Sequence, residues 1–399
     1  MIRSLIFFCA PFLIGFLLSH LLRGWLPDET FVRFWMLLAI LPITLSGLKR
    51  TFNDRPPREA APDFSVHRLL NKSLALLIGW LFILGVASAG TRLGIEATTL
   101  FIDDFLFVFP FLAVGIPGYV LLSEWLTGIG DDDYSRFGAK LRTTEQTPWR
   151  LHKALLLSWA VKAFFVPLMY SWLHVALGQL LAMGPPTLNN WTVWLFNIGV
   201  SIDLLIGTAG YVFASKLFRS DVISVDDTWF GWLVCLICYP PLMEYLRLAS
   251  SQVDSHVWTD WVEPSQPLYW IWACLIVTTW MIYWLSTVAF GLRFSNLSYR
   301  GLIDIGPYRW SKHPAYLSKN VYWWIHTVPF FGILGTAELA RNIAGLSILS
   351  FVYFLRAKTE ERHLSKFPEY RAYAHAIDKK FPWKYLRRNP ARELQPFPH

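Results

Sequence analysis

The stretch "PLYWIWACLIVTTWMIYWLSTVA", residues 267–289, decides the fold class of this chain. It carries no charged side chain, and it is longer than the roughly 20 residues that a helix needs to cross a bilayer. Its apolar residues form a continuous run rather than alternating with polar ones, which excludes a membrane-spanning strand. The stretch therefore predicts a transmembrane helix.

The composition of the whole chain agrees with this prediction. Of the 399 residues, 54% are hydrophobic and only 16% are charged, whereas soluble proteins carry about 25% charged residues. Inside a bilayer every backbone polar group needs a partner, so the other long apolar runs also predict helices. The expected fold is all-α, a polytopic transmembrane bundle of about ten spans, with a helical hairpin near the C-terminus and a cytoplasmic pocket. The predicted spans are residues 4–22, 32–48, 73–91, 98–122, 154–182, 191–215, 228–249, 267–289, 320–335 and 342–355.

The distribution of Lys and Arg predicts the orientation of these spans. One set of connecting segments holds thirty of the thirty-six basic residues, and the alternate set holds four. Cytoplasmic loops carry the excess of basic residues, so both termini should be cytoplasmic. The net charge of +8 then reflects membrane orientation, and no nucleic-acid partner is expected. The basic set is the N-terminus with 49–72, 123–153, 216–227, 290–319 and 356–399, and the alternate set is 23–33, 91–97, 183–190, 250–266 and 336–341.

One loop on the basic side is rich in side chains that carry chemistry. It is "GPYRWSKHPAYLSKN", Gly306–Asn320, and the hairpin that follows returns the chain to the same side. Segments 291–320 and 353–383 should therefore be neighbours. Their combined cations, carboxylates and aromatic rings suit a zwitterionic ligand with a flat ring, and a rigid loop before a helix N-terminus suits an anion. The side chains concerned are Arg309, Lys312, His313, Tyr316, Arg356, Glu360, Glu361 and His363.

A simpler interpretation treats these side chains as helix caps and orientation signals. It accounts for Lys312, Lys319, Lys379 and Lys380. It does not account for the adjacent carboxylates of Glu360 and Glu361 at the end of the last span.

The order of these motifs resembles a known family. The chain has G-P-Y-R-x-x-[KR]-H-P-x-Y, a hairpin, R-x-x-x-E-E, P-E-Y-x-x-Y and a final F-P, over roughly residues 285–385. This order is similar to that of the isoprenylcysteine carboxyl methyltransferases and the wider group of integral-membrane phospholipid methyltransferases. The resemblance implies a methyltransferase that uses S-adenosyl-L-methionine. Its acceptor would be a lipid or lipid-linked carboxylate, phosphate or amine at the cytoplasmic face.

The resemblance also implies the site residues. It assigns cofactor binding to Tyr308, His313, Pro314, Tyr316, Glu360 and Glu361, and catalytic roles to Arg356 and Glu361. Arg356 would lie between cofactor and acceptor, and Glu361 or His363 would deprotonate an amine acceptor. The chain departs from the family pattern where Arg362 and His363 follow Glu361, and where Pro368 replaces a glycine.

The rest of the chain divides by this resemblance. Residues 1–185 form N-terminal transmembrane helices of unknown role, 186–385 form the methyltransferase-like membrane domain, and 386–399 form a basic tail. No metal site is expected. Cys235 and Cys238 fit two apolar positions one helical turn apart, and Asp131–Asp133 fit a solvated turn.

Two other functions remain open at this stage. A sterol-reductase-like enzyme would bind NADPH, and the basic Arg387 and Arg388 would suit its extra phosphate. A non-catalytic transporter or scaffold would account for Asp203 and Lys162 within spans.

The orientation is directly testable with reporter fusions. A fusion after Trp383 and a fusion within 250–266 should report opposite sides of the membrane, since the two positions belong to opposite sets of segments. Both fusions reporting the same side would contradict the predicted topology.

Overall fold

The structure, a computed structural model, describes residues 10, 14–18, 21, 27–53, 64–95, 98–143, 148–183, 186–332 and 335–380. Helices dominate these residues, which confirms the predicted all-α membrane bundle. The helices are α1 (Asp28–Asn53), α2 (Val66–Arg92), α3 (Thr99–Thr127), α4 (Asp133–Arg142), α5 (Lys153–Ala182), α6 (Trp191–Val212), α7 (Trp229–Leu236), α8 (Met243–Ser250), α9 (Pro267–Phe290), α10 (Pro314–Thr327), α11 (Thr336–Leu364) and α12 (Pro368–Lys379). Two short strands, β1 (Ser224–Val225) and β2 (Ser298–Tyr299), pair antiparallel.

Seven helices in the described part of the chain are long and apolar enough to cross a membrane. They are α1, α2, α3, α5, α6, α9 and α11. Six of them correspond to predicted spans with small shifts of their ends. The seventh, α11, is longer than predicted and extends nine residues past 355, so that Arg356 and the two glutamates lie on a continuous helix.

Two predicted spans do not form single helices that cross the membrane. A third lies mostly outside the described residues. Residues 228–249 form two helices of 8 residues each, α7 and α8, because Pro240 and Pro241 remove backbone donors between them. Both pack along α11. The predicted span 320–335 is instead α10, which begins at Pro314 and has 14 residues, about 21 Å of helix and too few to cross a bilayer. Most of the predicted span 4–22 lies outside the described residues.

The core lies between α5 and α6. In the most apolar window of α5, 67% of residues are buried inside the protein, and in α6 61%, against 17% to 44% for the other spans. These two helices pack against each other, and α6 also packs against α9. The arrangement puts α5 and α6 at the centre and leaves the outer helices facing lipid.

A buried arginine, Arg300, joins two loops that precede the site, residues 213–228 and residues 291–313. Arg300, 5% exposed, donates to the carbonyl oxygens of Gly210 (2.9 Å), Phe294 (2.7 Å) and Ser220 (2.8 Å). The short β1–β2 ladder joins the same two loops. Because carbonyl oxygens from both loops satisfy one buried cation, segment 291–313 is held in a fixed position at the end of α6.

The consecutive acids Asp131–Asp133 cap and flank α4. Asp132 accepts a hydrogen bond from the backbone nitrogen of Ser135 (3.0 Å), and Asp133 pairs with Arg136 (2.9 Å). Lys72 of α2 lies 3.4 Å from Asp132, so the acids also join α4 to α2. Helix capping accounts for these side chains.

Candidate functional site

The loop from Gly306 to His313, the motif loop, is anchored through Tyr308. Gly306 has φ +62°, a conformation that glycine adopts without strain, and it opens a 3-10 turn through Arg309. The Tyr308 ring is 8% exposed and packs edge-on against Phe290 at 5.2 Å. The hydroxyl of Tyr373 donates to the Tyr308 carbonyl oxygen at 2.7 Å. Helices α9 and α12 therefore hold the motif loop from two sides.

His313 ends the motif loop and faces both glutamates. Pro314 occupies the first position of α10, which suits its fixed φ, and His313 is the residue before the helix. The His313 ring places Nε2 at 3.2 Å from Glu361 Oε1 and Nδ1 at 3.6 Å from Glu360 Oε2. Burial alone acts to lower the pKa of His313, but hydrogen bonds to the two carboxylates and their negative charge outweigh it and raise that pKa above its usual value.

Lysine and aspartate side chains complete this ion network. Lys312 Nζ lies 3.0 Å from Glu361 Oε1 and 3.2 Å from Asp378 Oδ1, and Lys358 Nζ lies 2.9 Å from Glu361 Oε2. Lys312 and Asp378 are largely buried, with side chains 14% and 13% exposed. The network joins the motif loop, α11 and α12, so the predicted meeting of the two polar segments is present in the structure.

Arg356 lies next to this network without a carboxylate of its own. It is 8% exposed, and its guanidinium donates to Asn296 Oδ1 at 2.9 Å. Its flat faces lie near the rings of Tyr316 (5.2 Å) and Tyr239 (5.8 Å). No carboxylate in the described part of the chain comes within salt-bridge distance of it. A buried cation that no carboxylate contacts is costly to remove from water.

Tyr316 connects the two halves of the site. Its ring stacks with His313 at 5.8 Å on one side and with Tyr353 at 6.1 Å on the other. With Arg356 at 5.2 Å, this ring contacts the ion network, the buried guanidinium and the helix bundle at once. The predicted residues His313, Pro314, Tyr316, Arg356, Glu360 and Glu361 are thus brought together in one region.

A buried hydroxyl in the same region lacks a partner. Tyr370 of α12 is 4% exposed, and its hydroxyl makes no hydrogen bond with a described residue. Burial, followed by the charges of Glu360 and Glu361, raises the pKa of Tyr370. Burial, followed by the charge of Glu360, also raises the pKa of Tyr308. Buried polar groups are normally paired, and the described residues offer this hydroxyl no partner.

Two residues singled out in the sequence do not join the site. Arg309 is exposed, and its carbonyl oxygen accepts a hydrogen bond from Lys380. His363 is 3% exposed and lies on the same face of α11 as Arg356, but seven residues, about 10.5 Å, further along the helix, where its ring is near Phe367 (6.3 Å between ring centres). It is therefore not placed to act as a base toward an acceptor beside Arg356.

Sequence reasoning missed four residues of the site, namely Tyr239, Asn296, Tyr370 and Asp378. Tyr370 lies in the P-E-Y-x-x-Y pattern, so a signal for it existed. Asn296 is sixty positions from Arg356 and in no recognisable motif, and its amide also contacts the hydroxyls of Tyr211 (3.0 Å) and Tyr239 (3.1 Å). Only the fold brings it to the site.

Residues 269–366 match the model of the isoprenylcysteine carboxyl methyltransferase family. The match covers α9, the motif loop, α10 and α11, and it confirms the resemblance seen in the sequence. It implies a membrane methyltransferase. No curated protein and no solved structure matches the chain significantly.

The His313 pairing predicts a pH-dependent stability. A raised pKa in the folded state means that the contribution is complete below the unfolded pKa, about 6.5, and is lost as pH rises through the folded value. We expect the wild type to exceed His313→Gln in stability by on the order of 1 kcal/mol at pH 6 and by less at pH 9. Thermal unfolding in one detergent measures this. His375→Gln, which changes an exposed histidine of α12, is the control, and a pH-independent difference would refute the pairing.

Proposed function

We propose that this protein transfers a methyl group from S-adenosyl-L-methionine to an oxyanion of a lipid or lipid-linked acceptor at the cytoplasmic face of a membrane. The observation that carries the proposal is the position of Arg356. It is buried next to the cluster of His313, Glu360 and Glu361, and no carboxylate of the described residues lies within salt-bridge distance of it. The family match of residues 269–366 supports the reaction class. The basic residues of segments 290–319 and 356–399 support the cytoplasmic side.

The residues present fit the cofactor. S-adenosyl-L-methionine has an ammonium group, a carboxylate, a positively charged sulfur and a flat purine. Glu360, whose side chain is 37% exposed, and the unpaired hydroxyl of Tyr370 suit its donors. Lys312 and His313 suit its carboxylate, and the ring of Tyr316 suits a flat or cationic group.

Bound at this position, the cofactor supplies a methyl group on a sulfonium, which is a strong electrophile. The protein's work is then to align the acceptor and to exclude water. Tyr316 and Tyr353 form an apolar wall beside the cluster, and Arg356 supplies a fixed positive charge. A guanidinium holds two oxygen atoms in a defined plane, so it orients a carboxylate or phosphate.

An oxyanion acceptor needs no base, which agrees with the ion pairs that already occupy the Glu361 carboxylate. Its carboxylate oxygens already contact Lys312, His313 and Lys358. We assign Glu361 to holding the cofactor side of the site. An amine acceptor would bring a second cation next to Arg356, and like charges at close range are unfavourable.

The alternative functions find less support. The NADPH interpretation depended on Arg387 and Arg388, which lie outside the described residues. The transporter interpretation depended on Asp203 and Lys162. Asp203 accepts hydrogen bonds from two hydroxyls, and Lys162 donates to the carbonyl oxygen of Ala214 at 3.2 Å.

Cofactor binding is tested by substitution of the ion network. His313→Ala and Glu361→Gln should each weaken binding of S-adenosylhomocysteine by about 1.5–3 kcal/mol, because each removes a charge-assisted contact. Isothermal titration calorimetry of the purified protein measures the change. His375→Ala and Glu338→Gln, at positions away from the cluster, should bind as the wild type does. Wild-type affinity in both test variants would remove these residues from the site.

Arg356 tests the nature of the acceptor. Lysine keeps the charge but cannot form a bidentate pair of hydrogen bonds with two oxygen atoms. Arg356→Lys should therefore lose most methyl transfer, while its affinity for S-adenosylhomocysteine stays nearly normal. The measurement is single-turnover transfer of labelled methyl to a lipid extract, with Arg371→Lys on the surface of α12 as the control. Full activity in Arg356→Lys, or an equal loss of cofactor affinity, would contradict an oxyanion acceptor.

A further inference from the structure

A groove of about 560 Å³ lies between α9 and the segment that carries the motif loop. Ile282, Val288 and Ala289 line it from α9 and extend over about 10.5 Å of that helix. Ile305 and Trp310 line it from the other side. Its volume is within the range of pockets that hold small organic ligands, roughly 300–1,000 Å³.

The groove is apolar along α9 and becomes basic beyond the end of that helix. Ile282 and Ile305 are 37% and 50% exposed, so the apolar wall is open to the surroundings of the bundle. Arg309, which is also exposed, lines the other end, and its guanidinium has no partner among the described residues. A guanidinium with five donors at the end of an apolar groove suits a phosphate group.

A lysine at the end of α12 adds a second positive charge. The Lys380 ammonium donates to the carbonyl oxygen of Arg309 at 2.8 Å and lies 5.9 Å from the centre of the Trp310 ring. This hydrogen bond uses one of its three donors. Trp310 is 70% exposed, and tryptophan is enriched where the apolar part of a membrane meets water. These features put the basic end of the groove at the depth of lipid headgroups.

The carboxylates nearest in sequence leave these two charges uncompensated. Asp304 and Asp378 are the closest along the chain to Arg309 and Lys380, and neither lines the groove. Asp378 pairs with Lys312 at 3.2 Å. Among the described residues, the basic end of the groove thus carries a net positive charge.

The groove is separate from a second cavity, of about 410 Å³, inside the bundle. Tyr283 and Trp284 of α9 line that cavity, and side chains of α5, α6, α10 and α11 complete its wall, among them Asp203 and Lys319. With 3.6 residues per turn, Tyr283 and Trp284 lie on the opposite side of α9 from Ala289. The two spaces share no lining residue. A molecule in the groove is therefore on the far side of α9 from the cavity.

We propose that the groove binds an anionic phospholipid of the leaflet that the basic residues predict to be cytoplasmic, and that this lipid is not the methyl acceptor. Its phosphate lies between Arg309 and Lys380, and one acyl chain lies along α9 from Ala289 to Ile282. The lipid fills the outer side of the motif loop, whose other end carries His313. The inference goes beyond the proposed function and does not depend on methyl transfer.

The shape and charge of the groove favour a lipid over a free phosphate, and an anionic headgroup over a zwitterionic one. A free phosphate contacts only the basic end, whereas the apolar wall continues from there along α9 for about two helical turns. A zwitterionic headgroup brings an ammonium next to two cations, and like charges at close range are unfavourable. An anionic phosphodiester with acyl chains matches both parts of the groove.

Photolabelling with two matched lipids tests the proposal. The purified protein is placed in phosphatidylcholine nanodiscs with a trace of phosphatidylglycerol or phosphatidylcholine that carries a diazirine on one acyl chain. After irradiation and proteolysis, the phosphatidylglycerol probe should label peptides covering 282–310 on the order of tenfold more than the phosphatidylcholine probe, because two basic side chains face its headgroup. Arg309→Gln should lower this ratio about fivefold, the contribution of one basic side chain near a membrane surface.

Arg371→Gln is the matched control, since it removes the charge of an exposed arginine of α12 that does not line the groove. It should keep the wild-type ratio. Equal labelling by the two probes in the wild type, or an unchanged ratio in Arg309→Gln, would overturn the proposal. An equal fall in Arg371→Gln would also overturn it, because general attraction to a basic surface would then account for the label.

A second variant tests the apolar wall. Ala289→Phe adds volume there and leaves the charges unchanged. It should lower the labelling of these peptides by both probes, and unaltered labelling by both would overturn the groove as their site. S-adenosylhomocysteine binding is measured on the same protein by calorimetry. Its absence in the wild type refutes the proposed function, whereas the labelling needs no cofactor and decides the lipid proposal separately.

Discussion

The buried charge of Arg356 is the constraint on which the arrangement of the site depends. Removing a guanidinium from water costs several kcal/mol unless other groups replace the lost hydration. Here the replacements are one amide oxygen of Asn296, the sulfur of Cys235 at 4.0 Å, and the faces of Tyr316 and Tyr239. Among the described residues these acceptors do not satisfy all five donors of the guanidinium. The fold holds this cation between an ion network and a largely apolar cavity.

The rigid surroundings explain how such a charge stays in position. Arg300 joins two loops through carbonyl oxygens, and the second of these loops carries Asn296. The backbone nitrogen of Asn296 also donates a hydrogen bond to the Tyr211 hydroxyl oxygen at 2.7 Å. On the other side, His313 and Lys312 join α10 to the end of α11. Asn296 is therefore held by contacts outside the site, and Tyr316, which follows His313 on α10, is held by the ion network.

The sequence predicts the features that depend on local pattern. The span at 267–289 agrees with α9 to within one residue, because a continuous apolar run is a local signal. The proximity of His313 to Glu360 and Glu361 followed from one hairpin returning the chain to its starting side. The sequence predicts a single span at 228–249 from its hydropathy, although Pro240 and Pro241 must break helix hydrogen bonds within it, and the structure has two separate helices there.

Features that depend on tertiary packing were not accessible to this reasoning. The contact of Asn296 with Arg356, and the cavity that α5 and α6 share with α10, each join positions without a common motif. Lys319 shows the difference most clearly. In the sequence it belongs to a group of basic residues explained by membrane orientation, whereas in the structure it lines a cavity beside an aspartate. The division into residues 1–185 and 186–385 stays a prediction, and α5, which lies before that boundary, packs against α6, which lies after it.

The central claim is that the motif loop and the end of α11 together hold the cofactor. Ultraviolet cross-linking of methyl-labelled S-adenosyl-L-methionine to the purified protein tests this claim most directly. After proteolysis, the account predicts label in peptides from 306–320 or 353–380, and loss of that label with excess S-adenosylhomocysteine. Label that is confined to peptides before residue 269, or label that the competitor does not displace, would contradict it.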